Sequence, residues 1–393
     1  MELKDIALLT KQLHVPAYIF NTDEFEARAA LVKQYFGEKT GLCFSIKANP
    51  FLLADIPAIF DKIEVCSPGE LTVCEKTHAD MKRVIFSGVN KGKADVERAM
   101  DDGVGTFTAE SWLHIKLIND AAKARGIRVP LLVRLTAGSQ FGMDEEDVLN
   151  VIRDRDCYEG IEIVGIHFFS GTQKKKAKII DKELTYVDAF CTRVKDELDF
   201  TIDRIEYGTG LAVDYFNEDA DSAEEERLSE ISAKIREIAE KYHLTVEMGR
   251  FFAAPCGYYL TGVVDVKTNK GINYAILDGG LHQLKYFGQY QGMQIPQIMH
   301  IGADDAEEKK PWTLCGSLCT TADVIAGNAE FSDLSIGDIL IFCRVGAYSV
   351  MEGMSVFLSR DLPQVALYSE KNGLRIVREP FDTDVLNTPQ TSL

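Results

Sequence analysis

Apolar and polar positions alternate in short bursts through the first two-thirds of the chain. Eight apolar runs read as strands: CFSIKA (43–48), KIEVCS (62–67), RVIFSG (83–88), VGTFTA (104–109), PLLVRLT (130–136), IVGIHFF (163–169), DRIEYG (203–208) and LTVEMG (244–249). Runs of this length, rich in β-branched and aromatic residues, fit buried strands. Between them lie stretches with helical spacing. ESWLHIKLINDAAKARG (110–126) sets Trp112, Ile115, Leu117 and Ile118 near one face and stops at Gly126, a residue that tolerates the left-handed turn closing a helix. DSAEEERLSEISAKIREIAEKY (221–242) opens on acids, which suit a helix N-terminus, and spaces Leu228, Ile231, Ile235 and Ile238 along one face. Eight strands, each with room for a helix, predict an α/β fold: a (β/α)8 barrel over residues 23–254.

Beyond residue 255 the helical period fades. YYLTGVVDVKT-NKG-INYAILDGG and QVALYSE-KNG-LRIVREP have the form of hairpins around Asn-Lys-Gly and Lys-Asn-Gly turns, and WTLCGSLC and DILIFCRVGAY read as further strands. The tail is therefore predicted to be mostly β, and VPAYIFN (15–21) is an early strand able to pair with it. A β-rich domain made of residues 1–22 and 255–393 follows.

Composition narrows the class. The 393 residues are 46% hydrophobic and 26% charged, with 43 basic against 61 acidic residues and a net charge of -18. Nucleic acid and anionic membranes need basic patches, so neither is an expected partner. No basic segment followed by an apolar core opens the chain, and no apolar run approaches the ~20 residues of a membrane span. Nine cysteines without a C-x-x-C pair read as reduced thiols of a cytoplasmic protein.

In such a barrel the reacting groups stand where strands end. Those ends carry Lys47, Ser67, Arg134, His167 with Phe169, Gly208-Thr209-Gly210, and Glu247-Met248-Gly249-Arg250. A lysine in a desolvated pocket has its charged form disfavoured and can act as a nucleophile toward an aldehyde. Glycines let backbone N–H groups approach a phosphate, because no Cβ intervenes.

Taken together, these segments resemble the fold-type III pyridoxal-phosphate decarboxylases, the diaminopimelate, ornithine and arginine decarboxylase family. The likeness runs from about residue 15 to 378. FSIKAN resembles the segment of the Schiff-base lysine, which falls on Lys47; SPGEL, SQFGM and HFFSGTQ follow in the family's order. EYGTGLAVDY resembles the phosphate loop with Gly208 and Gly210, and EMGR the Glu-Pro-Gly-Arg segment, with Met248 in place of proline and Glu247, Gly249 and Arg250 retained. CGSLCTTAD resembles the segment of the catalytic cysteine, Cys319, and VGAY the strand whose tyrosine, Tyr348, contacts the phosphate.

The resemblance implies pyridoxal 5′-phosphate as cofactor, no metal, and a small amino-acid substrate. Glu247 would pair with the pyridine nitrogen so that a carbanion is delocalised as a quinonoid, Arg134 would face the ring's phenolate, and Cys319 would protonate the carbanion. It also implies a homodimer in which Cys319 enters the partner's site. Two departures stand out. The family's ring-stacked histidine aligns with Phe169, leaving His167 as an inward structural residue. The residue after the cysteine is acidic in relatives that take a distal amine, and here it is Thr320. That favours a substrate without a free distal ammonium, such as a glutamyl derivative, free or carried on a protein, with Arg250 or Arg360 holding a carboxylate. Asp278 could still hold an amine, so diaminopimelate stays open. A racemase would pair the pyridine nitrogen with arginine, which Glu247 argues against. A non-catalytic binding protein would have no use for Lys47, Tyr348 and Cys319.

Overall fold

A computed structural model describes residues 1–302 and 308–390. The chain divides into two compact units: one comprises Glu26–Val213 with Asp221–Phe252, the other Met1–Phe25 with Asp214–Ala220 and Ala253–Leu393.

The first strand of the chain, β1 (Ala17–Asn21), belongs to the second unit. The next eight close a barrel: β2 (Gly41–Ser45), β3 (Lys62–Val65), β4 (Val84–Phe86), β5 (Thr106–Ala109), β6 (Val129–Leu135), β7 (Ile161–Phe169), β8 (Arg204–Gly208) and β9 (His243–Met248). All eight run parallel, and β9 pairs back onto β2. Each of the eight apolar runs supplies one strand. Side chains alternate across each strand. On β2, Leu42 and Phe44 are buried, Phe44 with its ring centre 5.6 Å from that of Phe60, while Ser45 donates to Glu247 of β9 and Cys43 lies among Glu206, Glu247 and Glu64.

The helix over 221–242 is observed as Ala220–Lys241, with Leu228, Ile231, Ile235 and Ile238 all buried. The helix over 110–126 is Trp112–Ala124, capped by Ser111, whose hydroxyl accepts from the His114 N–H. Its apolar face is narrower than the spacing predicts. Trp112 is 42% exposed and donates Nε1 to Asp147 at 3.1 Å, and His114 takes the inward place beside Ile115 and Ile118. An indole keeps a polar N–H in need of an acceptor, and Asp147, in the first turn of the helix Glu145–Arg153, offers one at the surface.

In the second unit β1 lies between β10 (Gly257–Asn269), antiparallel, and β16 (Gln364–Ser369), parallel. The Asn-Lys-Gly hairpin joins β10 to β11 (Ile272–Leu277), with Lys270 at φ 51° and Gly271 at φ 81°, the left-handed pair that a two-residue hairpin turn requires. The sheet continues through β13 (Lys310–Cys315) and β14 (Val324–Phe331) on one side and β17 (Gly373–Arg378) on the other; β15 (Ile339–Cys343) pairs with β10 and with β12 (Ile298–Ile301). The fold is thus a parallel barrel with a mostly β domain that takes in the first strand of the chain.

Candidate active site

The segment around Lys47 departs from a plain strand end. β2 stops at Ser45, and Ile46–Ala48 forms a single 3-10 turn. Pro50 ends that turn at Ala48, because the residue before a proline, Asn49, is kept from helical geometry; Asn49 also caps the next 3-10 turn by accepting from the Phe51 N–H at 3.1 Å. Lys47 is therefore lifted onto the rim with its side chain 39% exposed, more open than the end of a buried strand would be.

Parallel register brings acids to both sides of that lysine. Glu64 on β3 stands opposite Ser45, and Glu247 on β9 stands opposite Cys43. Lys47 Nζ lies 2.7 Å from Glu64 Oε2, 3.6 Å from Glu247 Oε1 and 3.4 Å from Cys66 Sγ. Burial pushes the Cys66 thiol well above its ordinary range, and the Glu64 charge adds to the effect. Glu247 accepts from the Ser45 hydroxyl at 3.0 Å and has His167 Nε2 at 3.1 Å. Burial pushes the Glu247 carboxyl up, but the Lys47 ammonium, His167 and Ser45 outweigh it and hold it below the usual carboxylate range. His167, expected as an inward structural residue, is buried and has its Nε2 beside the Glu247 carboxylate.

Arg134, at the end of β6, gives Nη1 to Glu110 Oε1 at 3.0 Å and packs its guanidinium 4.8 Å from the Phe141 ring centre. Its Nε is buried with no acceptor among the described residues. Phe169 ends β7 against Gly208 at the end of β8: a Cβ on Gly208 would lie 2.5 Å from the Phe169 ring, and one on Gly210, at φ 60°, would lie 1.9 Å from the Gly171 carbonyl oxygen. Gly249 is as constrained, since a Cβ there would meet the Ala48 methyl at 2.7 Å. Met248 and Arg250 on either side of it are buried.

The β-rich unit gathers a second set. Asp323 accepts from the Leu281 N–H and the Leu318 N–H, both at 2.8 Å, and so ties down the loop that bears Cys319 and Thr320. Ser317 N donates to the Gly279 carbonyl at 2.7 Å, and Arg360 donates to the Ser317 carbonyl at 3.0 Å. Asp278, Thr320, Cys319 and Arg360 are thereby brought onto neighbouring segments. Cys319 is exposed. Asp278 Oδ1 already accepts from the Thr261 hydroxyl at 2.6 Å and the Gly262 N–H at 2.9 Å. Tyr348 adopts φ 65° and caps the short helix Ser349–Glu352.

Sequence reasoning missed Glu64, Glu110 and Asp323. Glu64 had a signal: it alternates with the apolar Ile63 and Val65, so it faces the other side of the strand from them, into the barrel. Glu110 had none, because Arg134 is distant in sequence, and neither had Asp323, which joins the nearby Leu318 to the distant Leu281 only once the loop has folded.

The residues of the barrel fit a pyridoxal phosphate group. A lysine amine on the rim, an orphaned guanidinium N–H, a buried carboxylate and two glycines with no room for a Cβ match the aldehyde, phenolate, pyridine nitrogen and phosphate of that cofactor.

Comparison with known proteins points the same way. The family profile described as "Pyridoxal-dependent decarboxylase, pyridoxal binding domain" matches residues 22–254. An L-glutamyl-[BtrI acyl-carrier protein] decarboxylase of Niallia circulans is 23% identical, across 98% of this chain and 95% of that protein. The diaminopimelate decarboxylase of Methanocaldococcus jannaschii is 23% identical, across 95% and 91%. Among solved structures, the M. jannaschii enzyme with L-lysine superposes with a TM-score of 0.84 at 22% identity, covering 99% of this chain and 94% of that one. The lysine/ornithine decarboxylase of Vibrio vulnificus with cadaverine gives 0.81 at 21%, covering 93% and 99%.

Proposed function

We propose, from the premise that this chain belongs to the pyridoxal-dependent decarboxylase family, that it removes the α-carboxylate of an amino acid or amino-acid derivative whose far end carries no free ammonium. Lys47 Nζ, set between Glu64 and Glu247 on the barrel rim, is the observation that carries the decarboxylase reading. The cofactor, when bound, supplies the electron sink for the bond to the departing carbon dioxide.

Lys47 is the nucleophile toward the cofactor aldehyde, and Glu64 Oε2 is placed to take the proton that Nζ must lose. Glu247, kept ionised, holds a proton at the pyridine nitrogen. Arg134 would donate toward the phenolate, Phe169 would cover the ring face, Gly208 and Gly210 would open backbone N–H groups to the phosphate, and Gly249 with Arg250 shapes the adjoining turn. Once the carboxylate has left, the electron pair of the broken bond must take up a proton. Cys319 of a second copy of the chain is the donor, its Sγ–H proton passing to the α-carbon.

For the substrate, Thr320 supports a glutamyl group joined through its side-chain carbonyl, free or on a carrier protein. Its hydroxyl can donate to a carbonyl or accept from an amide, and it offers no charge to an ammonium. The N. circulans relative acts on a carrier-linked glutamyl group. In the alternative, diaminopimelate held by Asp278, Oδ1 is already shared by the Thr261 hydroxyl and the Gly262 N–H, and Oδ2 is the oxygen left to meet an amine.

Borohydride reduction of the yellow holoenzyme should fix a phosphopyridoxyl group on the peptide containing Lys47, and carbon dioxide should be released from one member of an amino-acid and γ-glutamyl panel. Label elsewhere, or a silent panel with labelled Lys47, would overturn the assignment.

A further inference from the structure

The barrel holds another carboxyl that the chemistry above does not use. Glu206 lies on β8 two residues before Gly208 and is 4% exposed. Its Cα stands opposite His167 on β7 and Thr245 on β9, which sets it one pleat below Glu247. Cys43 on β2 hydrogen-bonds to it. The other titratable groups facing it are Glu247 on β9, Glu64 and Lys62 on β3, and His167 on β7. Glu206 Oε1 and His167 Nδ1 are both buried without a hydrogen-bond partner among the described residues.

Compensation is unevenly shared. Lys47, Ser45 and His167 all direct their polar atoms to Glu247. Among the described residues Glu206 receives no ion pair, and an unpaired carboxylate at this depth is strongly disfavoured. Two carboxyls whose surroundings differ in this way divide into an acid and a base.

We propose that Glu206 is a positioning residue: a neutral carboxylic acid in the layer beneath the site, which confines negative charge to Glu64 and Glu247 beside Lys47. Burial and then the Glu247 charge push the Glu206 carboxyl well above its ordinary value of 4.5. An ionised Glu206 would push Glu247 toward protonation and so loosen its hold on the pyridine nitrogen; that consequence rests on the function proposed above, but the protonation state does not.

Linkage gives a test independent of turnover. Folded protein keeps a proton on Glu206 that unfolded protein releases above pH 4.5, so the contribution is fully present below that pH and is lost as pH rises toward the folded value. The variant Glu206→Gln lacks this proton. Equilibrium unfolding of wild-type and Glu206→Gln holoenzyme over a pH series should show the variant gaining, relative to wild type, about tenfold in its folding constant per pH unit above that point, with no difference in acid. A relative gain that is flat, or that falls with rising pH, overturns the proposal. Should the variant not fold, infrared spectra of the wild type at mildly alkaline pH decide: a protonated-carboxyl band that shifts in D2O supports the assignment, and its absence removes it. Cofactor absorbance adds the positioning readout, since Glu206→Gln should keep the wild-type spectrum at neutral pH whereas a displaced Glu247 would change it. Failure of the decarboxylase reading leaves the unfolding slope untouched, so the two can fail separately.

Discussion

Lys47 Nζ and Glu64 Oε2 lie 2.7 Å apart across neighbouring barrel strands, closer than Lys47 is to Glu247. The contact arises from register, because β3 sets Glu64 opposite Ser45 and the 3-10 turn carries Lys47 back over it. A carboxylate at hydrogen-bond distance from an amine that must be deprotonated to react is a base in position.

Glu64→Gln keeps the shape and removes the base. The rate of Lys47 labelling by pyridoxal phosphate in stopped-flow absorbance, and kcat, should both fall by roughly ten- to a hundredfold, the range of one charge-assisted hydrogen bond worth about 1.5–3 kcal/mol. An unchanged labelling rate would assign the proton to Glu247 or to solvent.

Gly208 meets the Phe169 ring where any Cβ would stand 2.5 Å from it. Gly208→Ala should therefore cost roughly 1–3 kcal/mol of stability by overpacking and weaken cofactor binding. The double variant Gly208→Ala/Phe169→Ala should recover much of that stability, measured by thermal unfolding, because the collision is removed. Additive losses would show that the alanine clashes elsewhere.

Strand count, barrel closure, both hairpins and the inclusion of residues 15–21 in the β sheet were legible in the sequence, because apolar period and turn chemistry are local. Trp112 and Lys47 were not. Whether an indole faces in or out depends on Asp147, 35 residues on, and the lift of Lys47 onto the rim depends on the 3-10 turn Ile46–Ala48 that follows β2. The candidate site was legible only where motifs are contiguous. Glu64 and Glu110 reach their partners through parallel register, and Asp323 through a folded loop, so no short-range pattern reports them.

Lys91 offers a pH dependence of opposite sign to that of Glu206. It is buried, with its ammonium 5.7 Å from the Phe86 ring centre, and burial lowers its pKa from 10.5 to about 8. Between those values unfolded chains hold a proton that folded chains have released, so this group makes stability rise with pH over that window, and below about pH 8 its buried charge is a burden. Lys91→Met should raise stability at pH 7 by roughly 1–3 kcal/mol, an advantage that shrinks above pH 8. Denaturant titrations at several pH values check it, and a loss at pH 7 would mean that an anion nearby pairs with the ammonium.

Cys319 is exposed on the β-rich unit and is assigned to the site of a second copy. Lys47→Ala and Cys319→Ala proteins should each be inactive. Mixed under exchange conditions, they should regain about a quarter of wild-type activity, because half the dimers are mixed and each holds one complete site. Verified exchange without recovery would place the cysteine and the lysine of each site in one chain.

Under the proposed function, Thr320 meets the substrate's far end. Beside a hydroxyl, a distal ammonium forgoes a charge-assisted hydrogen bond typically worth ~1.5–3 kcal/mol, or roughly one to two decades in kcat/KM. A side-chain carbonyl forgoes nothing there. Wild-type protein should accordingly turn over γ-glutamyl amides or thioesters with higher kcat/KM than meso-diaminopimelate, lysine or ornithine. Thr320→Asp should shift the ratio toward the diamino acids by a comparable factor, because it restores a carboxylate on the loop held by Asp323. Within the competing account Asp278 binds the amine and Thr320 only packs, so Thr320→Asp would leave the ratio unchanged. Asp278→Asn separates the two further: it should lower stability through its contacts with Thr261 and Gly262 while leaving the preference of surviving enzyme intact. Efficient turnover of any of the three diamino acids by the wild type, with the glutamyl compounds inert, would sink the substrate assignment and leave decarboxylation standing.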